Sequence, residues 1–155
     1  MAQCGHGFQM TLSWIPEGNG RVPRNPVDAG QGVVVIRGRH GQEVLPGKLV
    51  PGQVVGHVPY GGKEFPVDEY EVLCETGIKC GKCYDWVPAQ NGQVPPNAVV
   101  ASVASDNSPL YVARNQMEGD TVVGKVHQGH TSAYFPFGGQ EVPREQYEVL
   151  VWMMK

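Results

Sequence analysis

Short runs of β-branched and aromatic residues, bounded by glycine and proline, make up most of the chain. VVVIR occupies residues 33–37, YEVLC 70–74, LYVAR 110–114 and YEVLVWMM 147–154. Such runs are typical of β-strands. A helix needs roughly eight or more residues with apolar positions recurring every 3.6 residues or so, and hardly any stretch is free of Gly or Pro for that long. The pattern predicts an all-β protein with many short strands.

The C-terminal segment REQYEVLVWMMK, residues 144–155, is the one stretch long enough to suggest a helix. Its YEVL core also occurs in DEYEVLCETG at 68–77, which stops at Gly77. Because the two segments share this core, we predict a strand for both.

The chain contains an internal repeat. PYGGKE at 59–64 returns as PFGGQE at 136–141, and YEVL follows each of them, at an offset of 77 residues. Residues 37–73 and 114–150 align without a gap and are identical at 13 of 37 positions. This identity is far above that of unrelated segments, so the two halves are expected to share one local structure.

The repeat continues upstream with a shift in offset. WIPEGNGRVP, which begins at Trp14, matches WVPAQNGQVP, which begins at Trp86, at an offset of 72 residues. The second copy therefore has five extra residues between Pro95 and Arg114. An open solenoid needs about three or more copies to bury a continuous core. Two copies favour one compact unit in which each copy completes the core of the other.

These patterns predict a single domain over residues 1–155, built from short antiparallel strands in two interlocking tandem repeats. Repeat one spans about 12–75, a cysteine-rich junction spans 74–83, and repeat two spans about 84–152. A chain of 155 residues is long enough to bury a hydrophobic core as one domain.

Composition and charge narrow the range of partners. The 21 glycines and 13 prolines are many for a globular domain but fewer than disorder would suggest. The net charge is −3 and the 12 basic residues are scattered, so nucleic acid is not an expected partner.

The sequence has no clear membrane or secretory signal. No run approaches the roughly 20 apolar residues of a membrane helix. The N-terminus lacks the features of a secretory signal, which predicts a cytoplasmic protein unless it leaves by a non-classical route or associates with vesicles.

The four cysteines leave several alternatives open. Cys74, Cys80 and Cys83 lie in the junction, and Cys4 lies near the N-terminus. Cys80 and Cys83 form a C-x-x-C pair that Cys4, His6 or Cys74 could complete as a structural zinc site, although the usual second C-x-x-C or H-x-x-x-H half is missing. A disulfide between the junction and the N-terminus is the alternative in an oxidising compartment. Free thiols in a reducing cytosol are the favoured interpretation, and no metal or other cofactor is expected.

Catalytic motifs are missing from the sequence. The five histidines form no H-E-x-x-H pattern, and the chain has no G-x-S-x-G elbow, P-loop or dinucleotide-binding fingerprint. We therefore do not expect an enzyme.

Polar residues recur instead at equivalent positions among the predicted turns, where functional residues are common. Arg37 and Arg114 each close an apolar strand, and they either contact a ligand or form buried ion pairs with Glu64 and Glu141. The Gly-Gly pairs are expected to adopt positive φ in tight turns.

One tryptophan and one lysine also recur in each copy. Trp14 and Trp86 are expected to anchor the core. Lys48 and Lys125 each follow a glycine, and we expect them to be exposed turn residues. A lysine at such a position has no packing role that Leu or Gln would not fill, which makes both lysines candidates for ligand binding.

The succession WVPAQNGQVPPNAVV, PLYVAR, VGKV, AYFPFGGQE and YEVL in repeat two resembles the DM-nine repeat. Two tandem copies account for the chain apart from about ten leading residues and the junction. Characterised two-repeat members of that family are mannose-binding lectins of invertebrate immunity, with a compact β fold and chains that pair into dimers. The resemblance implies metal-independent recognition of mannose or mannose-containing glycans, a homodimer, and a role in innate immune recognition or agglutination.

The resemblance also implies a sugar site. In this family a lysine of the Gly-Lys motif and an aspartate before the PLYVAR strand bind the sugar, which corresponds here to Lys125 with Asp106 and Lys48 with Asp28. An ammonium donor and a carboxylate acceptor can share one sugar diol, since adjacent hydroxyls both donate and accept. An aromatic ring is expected on the apolar sugar face. The full predicted sugar-binding set is Asp28, Arg37, Lys48, Tyr60, Asp106, Arg114, Lys125 and Phe137.

Two alternative functions stay open. One is a zinc-stabilised structural module, which metal analysis of the purified protein would detect. The other is suggested by the resemblance, because some family members are intracellular responders to infection. In that case the chain would be an intracellular or vesicle-associated interaction or scaffold protein. It would bind lipid or protein partners without dependence on sugar.

Overall fold

The computed structural model describes residues 11–77 and 83–153. These residues form fourteen β-strands and no helix, which confirms the predicted all-β fold. The strands are β1 (Leu12–Gly18), β2 (Asp28–Gly30), β3 (Val33–His40), β4 (Glu43–Leu49), β5 (Gly56–Tyr60), β6 (Lys63–Val67), β7 (Glu69–Glu75), β8 (Tyr84–Gln90), β9 (Val100–Val103), β10 (Pro109–Met117), β11 (Asp120–His127), β12 (Ala133–Phe137), β13 (Gln140–Arg144) and β14 (Gln146–Trp152). Repeat one supplies β1 to β7 and repeat two supplies β8 to β14. The C-terminal YEVL segment is a strand, as its twin in repeat one predicted.

The order of the strands in the sheet is a palindrome. From one edge to the other it runs β1, β7, β3, β4, β5, β6, β13, β12, β11, β10, β14, β8, with β2 beside β3 and β9 beside β10. Exchanging each strand for its equivalent in the other repeat reverses this order. The two repeats are therefore related by an approximate twofold axis between β6 and β13, where the open antiparallel sheet passes from one to the other.

Two glycine turns close the hairpins that flank this axis. The turn between β5 and β6 is Gly61-Gly62, with φ of 59° and 86°, and the turn between β12 and β13 is Gly138-Gly139, with φ of 62° and 83°. Two successive positive φ values define a type I′ turn, whose twist matches that of a two-residue hairpin. Glycine adopts this conformation without the steric cost of a Cβ, so the repeated Gly-Gly pairs form the tight turns that the sequence predicted.

The two hairpins are joined by hydrogen bonds of both the backbone and the side chains. Glu64 donates its N–H to the Gly139 carbonyl at 3.1 Å, and the Gly139 N–H donates to Glu64 Oε1 at 2.7 Å. Glu141 exchanges the same two bonds with Gly62, at 2.9 Å each. We call these four residues, Gly62, Glu64, Gly139 and Glu141, the hairpin clasp. It joins the repeats at the centre of the sheet.

A shared hydrophobic cluster joins the repeats a second time. Its buried members are Leu12, Val27, Ala29, Val33, Val35 and Leu73 from repeat one, and Trp86, Val99, Ala101, Val112, Val123 and Leu150 from repeat two. Two further clusters belong to one repeat each, except that Leu110 of repeat two packs in the cluster of repeat one. Full burial of one such aliphatic side chain contributes about 1.5–3 kcal/mol. Because each repeat supplies only half of the cluster, neither repeat has this stabilisation alone.

Two arginines cross between the repeats in a symmetrical way. Arg37 Nη1 donates to the Ala101 carbonyl at 2.7 Å, and Arg114 Nη1 donates to the Ala29 carbonyl at 3.0 Å. Ala101 lies in β9 and Ala29 lies in β2. Each arginine therefore binds a short strand of the opposite repeat that has few other partners.

The acid that pairs with each arginine differs from the one predicted. Arg37 Nε lies 2.6 Å from Glu71 Oε1, and Glu64 is elsewhere; Arg114 likewise pairs with Glu148 at 2.7 Å. The reason is strand register, because β3 pairs with β7 and sets Arg37 directly opposite Glu71. The acid in the YEVL motif, rather than the acid after Gly-Gly, is therefore the partner.

The cysteine alternatives fall largely outside the described residues. Cys4 and Cys80 lie outside them, while Cys74 and Cys83 are both buried. Burial raises the pKa of the Cys74 thiol, so this thiol is protonated at neutral pH.

Over residues 11–77 and 83–153 there is no helix with the length and apolarity to cross a membrane.

We predict that neither repeat folds alone, because each lacks half of the shared cluster and half of the hairpin clasp. Separately produced fragments 11–77 and 83–153 should show no cooperative thermal transition by circular dichroism. Mixing them in equal amounts should restore strand signal and a transition. A cooperative transition in either fragment by itself would contradict the interlocking of the repeats.

Candidate functional site

Lys48 and Lys125 lie inside strands, in contrast to the turns that their sequence context suggested. Lys48 belongs to β4 and Lys125 to β11. The glycine before each lysine permits a close approach of the next strand, since a Cβ on Gly47 would lie 2.1 Å from the His57 carbonyl oxygen. Gly124 has the same role in repeat two, also at 2.1 Å from a backbone carbonyl. The Gly-Lys pair therefore marks a place where two antiparallel strands pack closely, and not a turn.

Both lysine side chains are mostly buried, which corrects the expectation that they are exposed. Only 11% of the Lys48 side chain and 13% of the Lys125 side chain are accessible. Lys48 Nζ lies 3.6 Å from Glu64 Oε2, and Lys125 Nζ lies 3.0 Å from Glu141 Oε2. Each ammonium is thus compensated by a carboxylate of its own repeat, as a buried charge requires.

Each lysine also contacts an aromatic residue of the opposite repeat. Lys48 Nζ lies 5.4 Å from the centre of the Phe137 ring, and Lys125 Nζ lies 5.3 Å from the centre of the Tyr60 ring. Both distances suit a cation–π contact. Lys125 donates in addition to the Pro59 carbonyl at 3.0 Å.

These contacts define two equivalent sites that each need both repeats. The first composite site consists of Lys48, His57, Glu64 and Phe137, and the second consists of Pro59, Tyr60, Lys125 and Glu141. In each site an ammonium, a carboxylate and an aromatic ring lie together near the boundary between the repeats.

The hairpin clasp explains why each site combines both repeats. One oxygen of Glu64 accepts from Gly139, while the other faces Lys48. Because Phe137 lies two residues before Gly139 in the same hairpin, the bond that holds the turn also holds the ring over the lysine. The motif of an aromatic residue, two glycines and an acid therefore supplies a ring to one site and a carboxylate to the other.

The two composite sites differ in their surroundings. In the first, His57 Nδ1 lies 4.0 Å from Glu64 Oε2, whereas Tyr134 occupies the equivalent place opposite Lys125. In the second, a hydrogen bond to the Glu43 carboxylate raises the pKa of Tyr60, so this phenol stays protonated.

Asp106, which the sequence paired with Lys125, contacts other groups. Its Oδ1 accepts from the Ser108 N–H at 3.0 Å, and its Oδ2 lies 3.6 Å from His127 Nε2. The Ser108 hydrogen bonds hold the pKa of the Asp106 carboxyl below its usual value. Lys125 and His127 are two residues apart in β11 and so project from the same face of the sheet. Asp106 therefore forms its ion pair with His127, which lies on the same face of the sheet as Lys125, and not with Lys125 itself.

Asp28 has a different setting from Asp106. It accepts the Gly30 N–H at 2.7 Å and lines a pocket of about 500 Å³ that is mainly apolar, with Leu49 and Val50 in its wall. Glu64, rather than Asp28, is the acid that forms the ion pair with Lys48.

Arg37 and Arg114 are held by their own structural contacts. The Arg37 guanidinium lies 4.6 Å from the Trp14 ring centre, and that of Arg114 lies 4.7 Å from the Trp86 ring centre. Both tryptophans pack against the shared cluster, as their predicted role as core anchors requires. The contacts of both arginines thus involve other residues than those of the composite sites, and any ligand contact would use only their remaining donors.

Glu64, Glu141 and His57 are the site residues that sequence reasoning missed. The signal for both acids was present, since each follows the Gly-Gly pair in both repeats. Only the strand register showed that the arginines take other acids and leave these two for the lysines.

Within the part of the chain that the structure describes, no group of three or more His, Cys, Asp or Glu side chains is arranged to hold a metal ion.

Proteins that are similar to this chain include one curated sequence and one solved structure. Natterin-4 of Thalassophryne nattereri is 33% identical over 92 residues, which cover 59% of this chain and 21% of that protein. This chain thus spans about a fifth of the length of the curated relative. The crystal structure of the nematode sperm cell motility protein MFP2B matches with a TM-score of 0.70 at 17% identity, over 95% of this chain and 48% of that one. At this identity the likeness is one of fold.

The family profile of the DM9 repeat matches residues 28–144, which include most of both repeats and all residues of the two composite sites. The chain belongs to the DM9 repeat family.

Proposed function

We propose that the protein is a lectin-like binding protein, without catalytic activity, that recognises mannose or mannose-containing glycans without a metal. The observation that carries this proposal is the twofold occurrence of an ammonium, a carboxylate and an aromatic ring, each time drawn from both repeats. Membership of the DM9 repeat family supports a carbohydrate-binding role. Mannose is the sugar that the family resemblance implies.

The chemistry of each composite site suits a sugar diol. Lys125 uses two of its three N–H groups on Glu141 and Pro59, which leaves one for a hydroxyl. Lys48 has Glu64 as its one polar partner among the described residues, at the longer distance of 3.6 Å, so its N–H groups are available for hydroxyls. The carboxylates accept from a neighbouring hydroxyl, and an aromatic ring packs on the apolar C–H face of the sugar. A few such bonds replace bonds to water, so the affinity of each site for a monosaccharide is expected to be weak.

The polar groups extend further in the second composite site. His127 and then Asp106 continue outward from Lys125, and Asp106 is exposed and ionised. We propose that a sugar lies between Lys125 and Asp106 and contacts His127. In repeat one, Val50 takes the place of His127, so the first site is proposed to bind more weakly.

Binding is predicted to be independent of metal, because each composite site has a single carboxylate where a calcium site gathers six to eight oxygen ligands. The chain should stay on mannose resin in the presence of EDTA and elute with free mannose. Elution by EDTA alone would contradict the proposed mechanism.

Loss of a lysine is predicted to weaken both sugar binding and folding. Lys125→Met removes the donor and leaves Glu141 without its cation, which costs about 1–3 kcal/mol of unfolding free energy. Calorimetric titration of the folded fraction with methyl α-mannoside should show one binding site fewer. Lys63→Met is the matched control, since Lys63 is exposed in the adjacent hairpin. A Lys125→Met variant that keeps both sites would refute the role of Lys125.

Agglutination is predicted to depend on both sites of a chain. Linked sites raise apparent affinity by about a hundredfold or more when one ligand spans them, and pairing of two chains would double the number of sites. Lys48→Met or Lys125→Met should each retain some mannose binding but lose most agglutination of mannan-coated beads. If one variant loses all binding and the other none, a single site per chain is active.

A further inference from the structure

A cleft of about 790 Å³ lies in repeat two, away from both composite sites. Strands β8, β10 and β14 form most of its wall, and β2 of repeat one closes one side. Its volume is within the range of roughly 300–1,000 Å³ that is typical of small-ligand pockets. It is larger than one monosaccharide requires.

Five side-chain amides line this cleft, which we call the amide cleft. They belong to Gln90, Gln93, Asn115, Gln116 and Gln146. Gln90, Gln93 and Gln146 are exposed, and their side chains form no hydrogen bond within the described residues, so their donors and acceptors are available. An amide offers two N–H donors and one oxygen acceptor, a combination that matches a row of hydroxyl groups.

The floor of the amide cleft carries no net charge. Arg114 Nε pairs with Glu148 Oε1 at 2.7 Å, and Arg114 Nη1 is used by the Ala29 carbonyl. The guanidinium Nη2 and the second Glu148 oxygen remain as one donor group and one acceptor. An anionic ligand would lie against the Glu148 carboxylate without an unpaired cation, so a neutral polar ligand fits better.

An extended peptide fits less well than a polyhydroxyl chain. The adjacent edge strand β8 has Pro88 in its interior, which removes a backbone donor that a paired peptide would need. Strand addition at this edge is therefore interrupted beside the cleft.

The equivalent surface of repeat one has a different chemistry. The positions that correspond to the five amides are Gly18, Arg21, Gly38, Arg39 and Glu69. Charged groups and glycines thus replace every amide, and Arg21 forms a salt bridge with Glu17 at 3.1 Å. The repeats share the composite sites, whereas the amides belong to repeat two alone.

We infer that the amide cleft is a second kind of carbohydrate site, which binds a neutral oligosaccharide of two or more units. The inference rests on the proposed function only in assigning the ligand to carbohydrates. The cleft would add contacts for an extended glycan, while the composite sites hold single sugar units.

Nuclear magnetic resonance titrations of the full chain, labelled with ¹⁵N, test this inference. The probes are neutral trisaccharides of mannose, glucose and N-acetylglucosamine, and methyl α-mannoside serves as the monosaccharide. At least one trisaccharide should shift the side-chain amide signals of Gln90, Gln93 and Gln146 more strongly than the monosaccharide does. Absence of such shifts with all three trisaccharides would overturn the inference.

A charge exchange supplies the matched variants. Gln116→Arg with Gln146→Glu installs the residues of repeat one at two exposed positions and should weaken trisaccharide binding at the cleft about tenfold or more. Arg39→Gln with Glu69→Gln, the reverse exchange in repeat one, should leave cleft binding unchanged. Equal cleft affinities in all three proteins would overturn the inference. If a trisaccharide shifts the cleft amides but methyl α-mannoside shifts no signal near Lys48 or Lys125, the composite sites would be refuted and the amide cleft would not.

Discussion

The hairpin clasp is the contact on which the rest of the structure depends. Glu64 and Glu141 each use one carboxylate oxygen to hold the glycine turn of the opposite repeat and the other oxygen to face a buried lysine. A single acid therefore joins the repeats, positions an aromatic ring and compensates a charge. Because the arrangement is reciprocal, the sheet becomes continuous across the axis and two composite sites form together.

Much of the fold follows from patterns that are local in sequence. The glycine and proline spacing excludes helix, and the repeated Gly-Gly pairs dictate type I′ turns at fixed places. The partners of the charged residues do not follow, because acids recur both after Gly-Gly and in YEVL. Only the register of β3 against β7 assigns Glu71 to Arg37 and leaves Glu64 for Lys48. Likewise, a glycine before a lysine suggests a turn. The glycine is needed because a Cβ at its position would lie 2.1 Å from a carbonyl oxygen of the neighbouring strand, and only the tertiary structure shows this.

Divergence between the repeats is confined to what surrounds the shared framework. The clasp, the buried lysines and the arginines that cross to the opposite repeat occur twice with nearly the same geometry. Outside them, Tyr134 of repeat two takes the position of His57 in repeat one, and amides in repeat two replace charged residues and glycines in repeat one. A duplicated scaffold of this kind keeps the contacts that both halves need for folding, while the exposed positions around each site are free to differ in ligand preference.

Each lysine site is completed by an aromatic ring of the opposite repeat. The most direct test follows the side-chain resonances of Lys48 and Lys125 during titration with methyl α-mannoside, in Phe137→Ala and Tyr60→Ala variants whose folding is verified. Phe137→Ala should remove the response of Lys48 and leave that of Lys125 unchanged, and Tyr60→Ala should do the reverse. If each substitution instead abolishes the response of the lysine in its own repeat, the sites are not composite.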